Sequence, residues 1–94
     1  MLYMIIERYR HGAVPVYRRF RKHGRMAPEG LSYLGSWVTQ DFTTCYQVME
    51  CDDERLLTEW MRQWEDIVEF EYIPVMTSGD ASAAVSDRLN GKSA

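Results

Sequence analysis

The stretch LYMII, residues 2–6, has five consecutive apolar residues and no polar alternation. Successive side chains of a strand point to opposite sides of its sheet, so this pattern is typical of a strand that is buried on both faces. A chain of 94 residues can cover only one face of such a sheet with its own helices. The stretch therefore predicts that a partner subunit or a bound ligand covers the other face.

Composition favours one small globular domain. The chain is 46% hydrophobic and 13% aromatic with a formal net charge of -3, which excludes the disordered and collagen-like classes. No basic segment precedes the apolar stretch, which is far shorter than the ~20 residues that span a bilayer. We expect neither a signal peptide nor a membrane-spanning segment, and a cytoplasmic location.

The two cysteines also favour the cytoplasm. Cys45 and Cys51 lie six residues apart in one predicted strand, which places their Cα atoms roughly 20 Å apart at ~3.3 Å per residue. That distance is too long for a disulfide. Two unpaired thiols are typical of a reducing compartment, and both are interpreted as small hydrophobic residues of a core.

The order of the predicted elements is strand, helix, strand, then strand, helix, strand. This order indicates an α+β, ferredoxin-like βαββαβ fold, in which a four-stranded antiparallel sheet carries two helices on one face. The first strand is then a central one. We assign residues 1–78 to this domain and residues 79–94 to a C-terminal tail, weakly helical or disordered, with Asp80 as a candidate helix cap. The predicted elements are strand 2–9, helix 15–25, strand 31–39, strand 44–51, a helix over the Leu56 to Trp64 stripe, and strand 67–76.

Both predicted helices are amphipathic. The second has a core-facing stripe that includes Trp60 and Trp64, which we assign to the core. The first has a basic outer face, and residues 1–30 carry seven Arg or Lys against two acids, a local charge of +5. No aromatic residues alternate with these cations, so a solvated face is favoured over a nucleic-acid site, and no nucleic-acid partner is expected. The cations of that face are Arg18, Arg19, Arg21, Lys22 and Arg25.

Four segments of the chain carry a resemblance to a known family: MLYMIIERYRHG (1–12), PVYRRFRKHGRMAPEGLSYLGSWV (15–38), CYQVMECDD (45–53) and VEFEYIPVMTS (68–78). They resemble a bacterial family of unknown function, family 3303. The resemblance covers roughly residues 1–80 and is a whole-domain similarity, not a catalytic motif. It implies membership of the dimeric α/β-barrel superfamily, in which two ferredoxin-like subunits pack their sheets together around a central cavity. That superfamily includes cofactor-free monooxygenases, haem-degrading enzymes, dehydratases, isomerases and ligand-sensing domains, so the resemblance implies a fold and no activity.

Polar residues inside apolar strands are the candidates for lining a cavity between the sheet and the helices or a partner's sheet. They are Glu7, Gln47 and Glu50, with Tyr3 and Trp37 as aromatic walls. Tyr3 and Glu7 share a face, whereas Gln47 and Glu50 point to opposite faces, so all five cannot line one cavity. The hairpin register decides which of them joins Glu7, and its turn lacks a diagnostic sequence.

A buried carboxyl in such a cavity would have a raised pKa and could act as a general acid or base. The alternative interpretation, which we favour from sequence alone, is that Glu7 and Glu50 lie near strand ends, where they are hydrated or paired with arginine. His11 and His23 lack a second ligand at metal spacing. We therefore expect no metal site, no haem and no other cofactor.

Three classes of function remain open. The leading one is a homodimeric small-molecule-binding domain. The second is a cofactor-independent enzyme of the monooxygenase or isomerase type. The third is a non-catalytic structural or interaction module. A sealed interior filled by side chains would argue against the first two, and an open cavity with a carboxylate facing into it would weaken the third.

Overall fold

The computed structural model describes residues 1–91 as a four-stranded sheet and three helices. All strand pairs are antiparallel, and the strand order is β2-β3-β1-β4. The predicted ferredoxin-like α+β fold is confirmed, as is the central position of the first strand. The elements are β1 (Leu2–Tyr9), α1 (Ala13–His23), β2 (Ser32–Val38), β3 (Thr44–Glu50), α2 (Arg55–Arg62), β4 (Val68–Val75) and α3 (Ser78–Leu89).

The two faces of β1 have different surroundings. Tyr3, Ile5 and Glu7 are buried on the face that carries α1 and α2, which we call the inner face. Met4 and Ile6 are only half-buried on the opposite, outer face. The chain therefore buries one side of the opening apolar stretch fully, and a cover for the other side stays a prediction.

The indoles of α2 and the turn that follows it belong to the core, as predicted. Trp60 and Trp64 are both buried. Their Nε1 atoms donate hydrogen bonds to the backbone oxygen of Arg25, at 2.9 Å and 3.1 Å. A buried indole usually finds such a partner for its N–H group. These two bonds hold the segment after α1 against the core.

The end of α1 corrects the sequence-based expectation. The helix ends at His23, two residues early, because Gly24 adopts a positive φ of 71°, which glycine tolerates far better than other residues. The chain then changes direction, so the helical wheel no longer describes Arg25. The prediction that Arg25 lies on the basic outer face is therefore wrong, and its side chain turns inward.

The C-terminal segment is helical, but Thr77 caps it in place of the predicted Asp80. The Thr77 side-chain oxygen accepts a hydrogen bond from the backbone nitrogen of Asp80 at 3.1 Å. No residue of α3 is buried. The domain boundary at residue 78 stays a prediction, and the end of the predicted tail, residues 92–94, lies outside the described residues. None of the helices in residues 1–91 has the length and apolar character needed to cross a membrane.

Candidate functional site

A cavity of about 220 Å³ lies between the inner face of the sheet and the helices. Residues of β1, β2 and β3, together with Arg25, form its polar floor: Glu7, Tyr9, Ser36, Cys45, Gln47 and Arg25. Residues of α1 and of the α2 region form its wall: Val16, Tyr17, Phe20, Trp60 and Trp64. An apolar, aromatic wall with a few converging polar groups is the usual composition of a small-molecule site.

The strand register places Glu7 and Gln47 side by side. Glu7 pairs with Cys45, and Ile5 pairs with Gln47, so the side chains of all four share the inner face. The Gln47 amide nitrogen donates a 2.6 Å hydrogen bond to the Glu7 carboxylate. The two side chains are deeply buried, with 7% of Glu7 and 2% of Gln47 exposed.

Arg25 completes a chain of three polar side chains. Its Nε donates a 2.7 Å hydrogen bond to the amide oxygen of Gln47. Its guanidinium carbon lies 3.7 Å from the ring centroid of Tyr33 and 5.2 Å from that of Phe20, distances at which a cation is attracted to an aromatic face. The amide of Gln47 therefore links a carboxylate to a guanidinium, which fixes the amide's orientation.

Burial is the main influence on the acid-base properties of this floor. It raises the pKa of Glu7 from 4.5 to about 6, while interactions with Cys45, Arg25 and Gln47 oppose a larger rise. Burial and the neighbouring Glu7 charge raise the pKa of the Cys45 thiol to about 12. The thiol therefore stays protonated at neutral pH, and Glu7 is the group of this pair that can gain or lose a proton close to neutral pH.

The family model for a domain of unknown function, DUF3303, matches residues 1–89. The chain belongs to the DUF3303 family. No curated protein matches it. Among solved structures, it is similar to protein Atu4242 from Agrobacterium tumefaciens, with 14% sequence identity and a TM-score of 0.46 over 83% of this chain and 96% of that one. The family description states no activity, so the cavity is the feature of this DUF3303 domain that bears most directly on its function.

The structure brings two of the five predicted site residues of the DUF3303 domain together. Glu7 and Gln47 line the cavity. Tyr3 shares their face but lies farther along β1, where its ring packs edge-on against Tyr72 at 5.9 Å. Trp37 and Glu50 lie on the outer face. A role of any of the five in ligand binding stays a prediction.

Strand parity and one irregularity explain these positions. Glu50 is three residues from Gln47 in β3, so it points to the opposite face. In β2 the register shifts between Tyr33 and Gly35, after which Trp37 pairs with Tyr46 on the outer face. Within residues 1–91 the Glu7 carboxylate accepts its hydrogen bond from Gln47 and forms no salt bridge with an arginine, so the arginine-paired form of the interpretation favoured from sequence does not describe it.

Four polar residues of the cavity floor were not predicted from sequence as site residues: Tyr9, Arg25, Ser36 and Cys45. Arg25 was placed on the outside of α1, and Cys45 in the core. Gly24 was the available signal for Arg25, because glycine commonly ends a helix in the left-handed conformation. Within residues 1–91, no three His, Cys, Asp or Glu side chains form a group that could hold a metal ion.

Replacing Glu7 with glutamine is expected to change how stability depends on pH. Because the folded pKa of about 6 exceeds the 4.5 of the unfolded chain, the folded state binds more protons between these values. The contribution of Glu7 to the free energy of unfolding therefore falls as pH rises through this window, by about 2 kcal/mol in total. Urea unfolding of both proteins from pH 4 to 8 measures this.

The difference in the free energy of unfolding between Glu7→Gln and the unsubstituted chain separates the effect of the Glu7 carboxyl from the effects of the other titrating side chains. Asp66, whose pKa the Arg19 side chain lowers to about 2, contributes equally to both proteins. We expect the glutamine variant to gain relative stability as pH rises from 4.5 to 7. A constant difference across this range would contradict the burial of an ionisable Glu7.

Proposed function

We propose that this DUF3303 domain binds a small organic molecule in the cavity between its sheet and helices. The observation that supports this most is that the buried Glu7 carboxyl lines a cavity. In a close-packed core, other side chains would surround this carboxyl on all sides. Ligand sites commonly measure ~300–1,000 Å³, and this cavity measures about 220 Å³. The ligand we infer is therefore smaller than most cofactors.

Proton transfer to or from the bound molecule is the second candidate function. General acid-base catalysis works best when the catalytic pKa lies near the working pH. The pKa of Glu7, about 6, meets this condition, and its bond to Gln47 holds the carboxyl in place. These features favour an isomerase-type enzyme that uses no cofactor. Turnover that is lost in Glu7→Gln, with binding retained, would distinguish this function from binding alone.

We further infer that two copies of the chain pair through their outer faces. The half-buried Met4, Ile6 and Val48 form the centre of this face, with the exposed Tyr46 and Trp37 beside them. The register makes these residues neighbours, because Met4 pairs with Val48 and Ile6 with Tyr46. A contiguous apolar patch of this kind is unusual on a monomer.

A second copy fits this face better than an unrelated partner. Arg8 and Glu71, which are diagonal neighbours on β1 and β4 at one end of the patch, form a 3.1 Å ion pair within the chain, so their charges are already balanced. Face-to-face packing of two such sheets buries the side of β1 that the helices leave uncovered. Because the cavity lies on the inner face, dimerisation leaves it intact.

A substitution at Cys45 tests whether ligands occupy the cavity. Cys45→Phe is expected to fill much of it, whereas Cys45→Ala, at the same position, enlarges it. A thermal-shift screen of small metabolites should therefore find compounds that stabilise the unsubstituted chain and Cys45→Ala but not Cys45→Phe. Compounds that stabilise all three equally would bind elsewhere, and a comprehensive screen with no stabilising compound would contradict the proposed function.

A further inference from the structure

Arg25 is a cation in the cavity that forms no salt bridge with the described residues. The salt bridges among residues 1–91 join Arg8 to Glu71, Arg19 to Asp66 and Arg55 to Asp53. Arg25 bonds through Nε only, to the neutral amide of Gln47. Its two terminal nitrogens, Nη1 and Nη2, make no hydrogen bond to the described residues.

These terminal nitrogens are nevertheless accessible. In residues 1–91 no fully buried side-chain nitrogen or oxygen lacks a hydrogen-bond partner, so Nη1 and Nη2 must reach the cavity or the solvent at its opening. The guanidinium plane is held by the Nε bond and by the rings of Tyr33 and Phe20. Nη1 and Nη2 are therefore two hydrogen-bond donors in a fixed position next to the aromatic wall of the cavity.

We propose that the cavity selects small monocarboxylic acids, whose carboxylate pairs with the terminal nitrogens of Arg25 while their apolar part lies against Phe20, Trp60 and Trp64. This inference rests on the proposed function and names its ligand class. A guanidinium presents two parallel N–H donors that match the two oxygens of a carboxylate, and such charge-assisted pairs are stronger than neutral hydrogen bonds.

The charges of the cavity favour one negative charge over two. Arg25 is its one cation among the described lining residues, and Glu7 places a carboxyl on the same floor. A phosphate or dicarboxylate would bring a second negative charge close to Glu7 without a second cation to balance it. Gln47 lies between the carboxyl and the guanidinium, which separates a ligand carboxylate on Arg25 from Glu7.

Benzoate and benzamide are matched probes for this proposal, because they have nearly the same size and shape and differ in charge. Titration of the ¹⁵N-labelled full chain at pH 7.5 follows the indole N–H signals of Trp60 and Trp64, with Trp37 on the outer face as the internal control. We expect benzoate to bind at least about tenfold more tightly than benzamide. The Trp37 signal should not move.

Arg25→Gln is expected to remove the preference for benzoate, and Arg18→Gln, an exposed position on α1, should keep it. Equal or tighter binding of benzamide by the unsubstituted chain would overturn the proposal, and this comparison does not depend on the folding of any variant. A preference for benzoate that persists in Arg25→Gln would also overturn it.

Absence of binding by both probes at millimolar concentration would likewise reject selection of small acids. The proposed function would still be judged separately, by the screen with the Cys45 variants. The two failures are therefore distinguishable.

Discussion

Replacing Trp60 with alanine is expected to lower the free energy of unfolding by about 3–5 kcal/mol. Only 2% of this indole is exposed, its ring packs against Phe70 at 5.5 Å, and its Nε1 holds the backbone oxygen of Arg25. The substitution removes a large apolar volume and one of the two bonds that anchor the segment after α1. Since small domains are stable by only ~5–15 kcal/mol, urea unfolding should show a large loss.

Trp37→Ala is the matched control, because it also deletes an indole, on the side of the sheet opposite to the helices. Trp37 is 64% exposed, so its removal should cost less than about 1 kcal/mol when unfolding is measured at a dilution where the chain is monomeric. Equal losses for the two variants would contradict the assignment of Trp60 to the core and of Trp37 to the surface of the single chain.

Replacing Val48 with aspartate is expected to separate the proposed dimer. Val48 lies at the centre of the outer face, between Met4 of β1 and Gly35 of β2. In the dimer, each copy would bury an unpaired carboxylate there, at a cost of about 3–5 kcal/mol. The dissociation constant should rise by a factor of about 100 or more. Size-exclusion chromatography with light scattering over a concentration series measures it.

The control for this variant is Thr58→Asp, which adds the same charge at an exposed position of α2. It should remain dimeric. Val48→Asp should keep the circular-dichroism spectrum of the folded chain, because the outer face of a single subunit is open to water. A dimer that persists in Val48→Asp would place the interface elsewhere, and a monomeric unsubstituted chain at tens of micromolar would reject pairing through the sheet.

The fold could be predicted from sequence because its signals are local and repeated. The LYMII stretch identified a central strand, and the order of the strands and helices then admitted few topologies. Helix ends were less certain. Pro15 suggested a start for α1, which begins at Ala13, and the wheel was continued through Gly24 to Arg25 although the helix ends at His23. One glycine conformation thus decided whether Arg25 faces solvent or the cavity.

The site could be predicted only in part, since it depends on pairing between distant segments. The alternation of β1 identified Glu7, and strand parity restricted the choice to Gln47 or Glu50. The choice itself required the register of β1 on β3, which pairs Ile5 with Gln47 and which no turn sequence fixed. The face on which Trp37 lies could not be predicted, because the irregularity in β2 has no clear sequence signal. Arg25 needed the path of a loop that tertiary hydrogen bonds hold.

The indole signals of the three tryptophans test the central claim, that the cavity beside Glu7 is a small-molecule site. Each compound that passes the thermal-shift screen is titrated into the ¹⁵N-labelled chain. The account predicts that the Trp60 and Trp64 signals shift together and saturate, that Trp37 stays unchanged, and that Cys45→Phe abolishes the shifts. Compounds that bind while moving only Trp37, or that leave all three indoles unchanged, would contradict it.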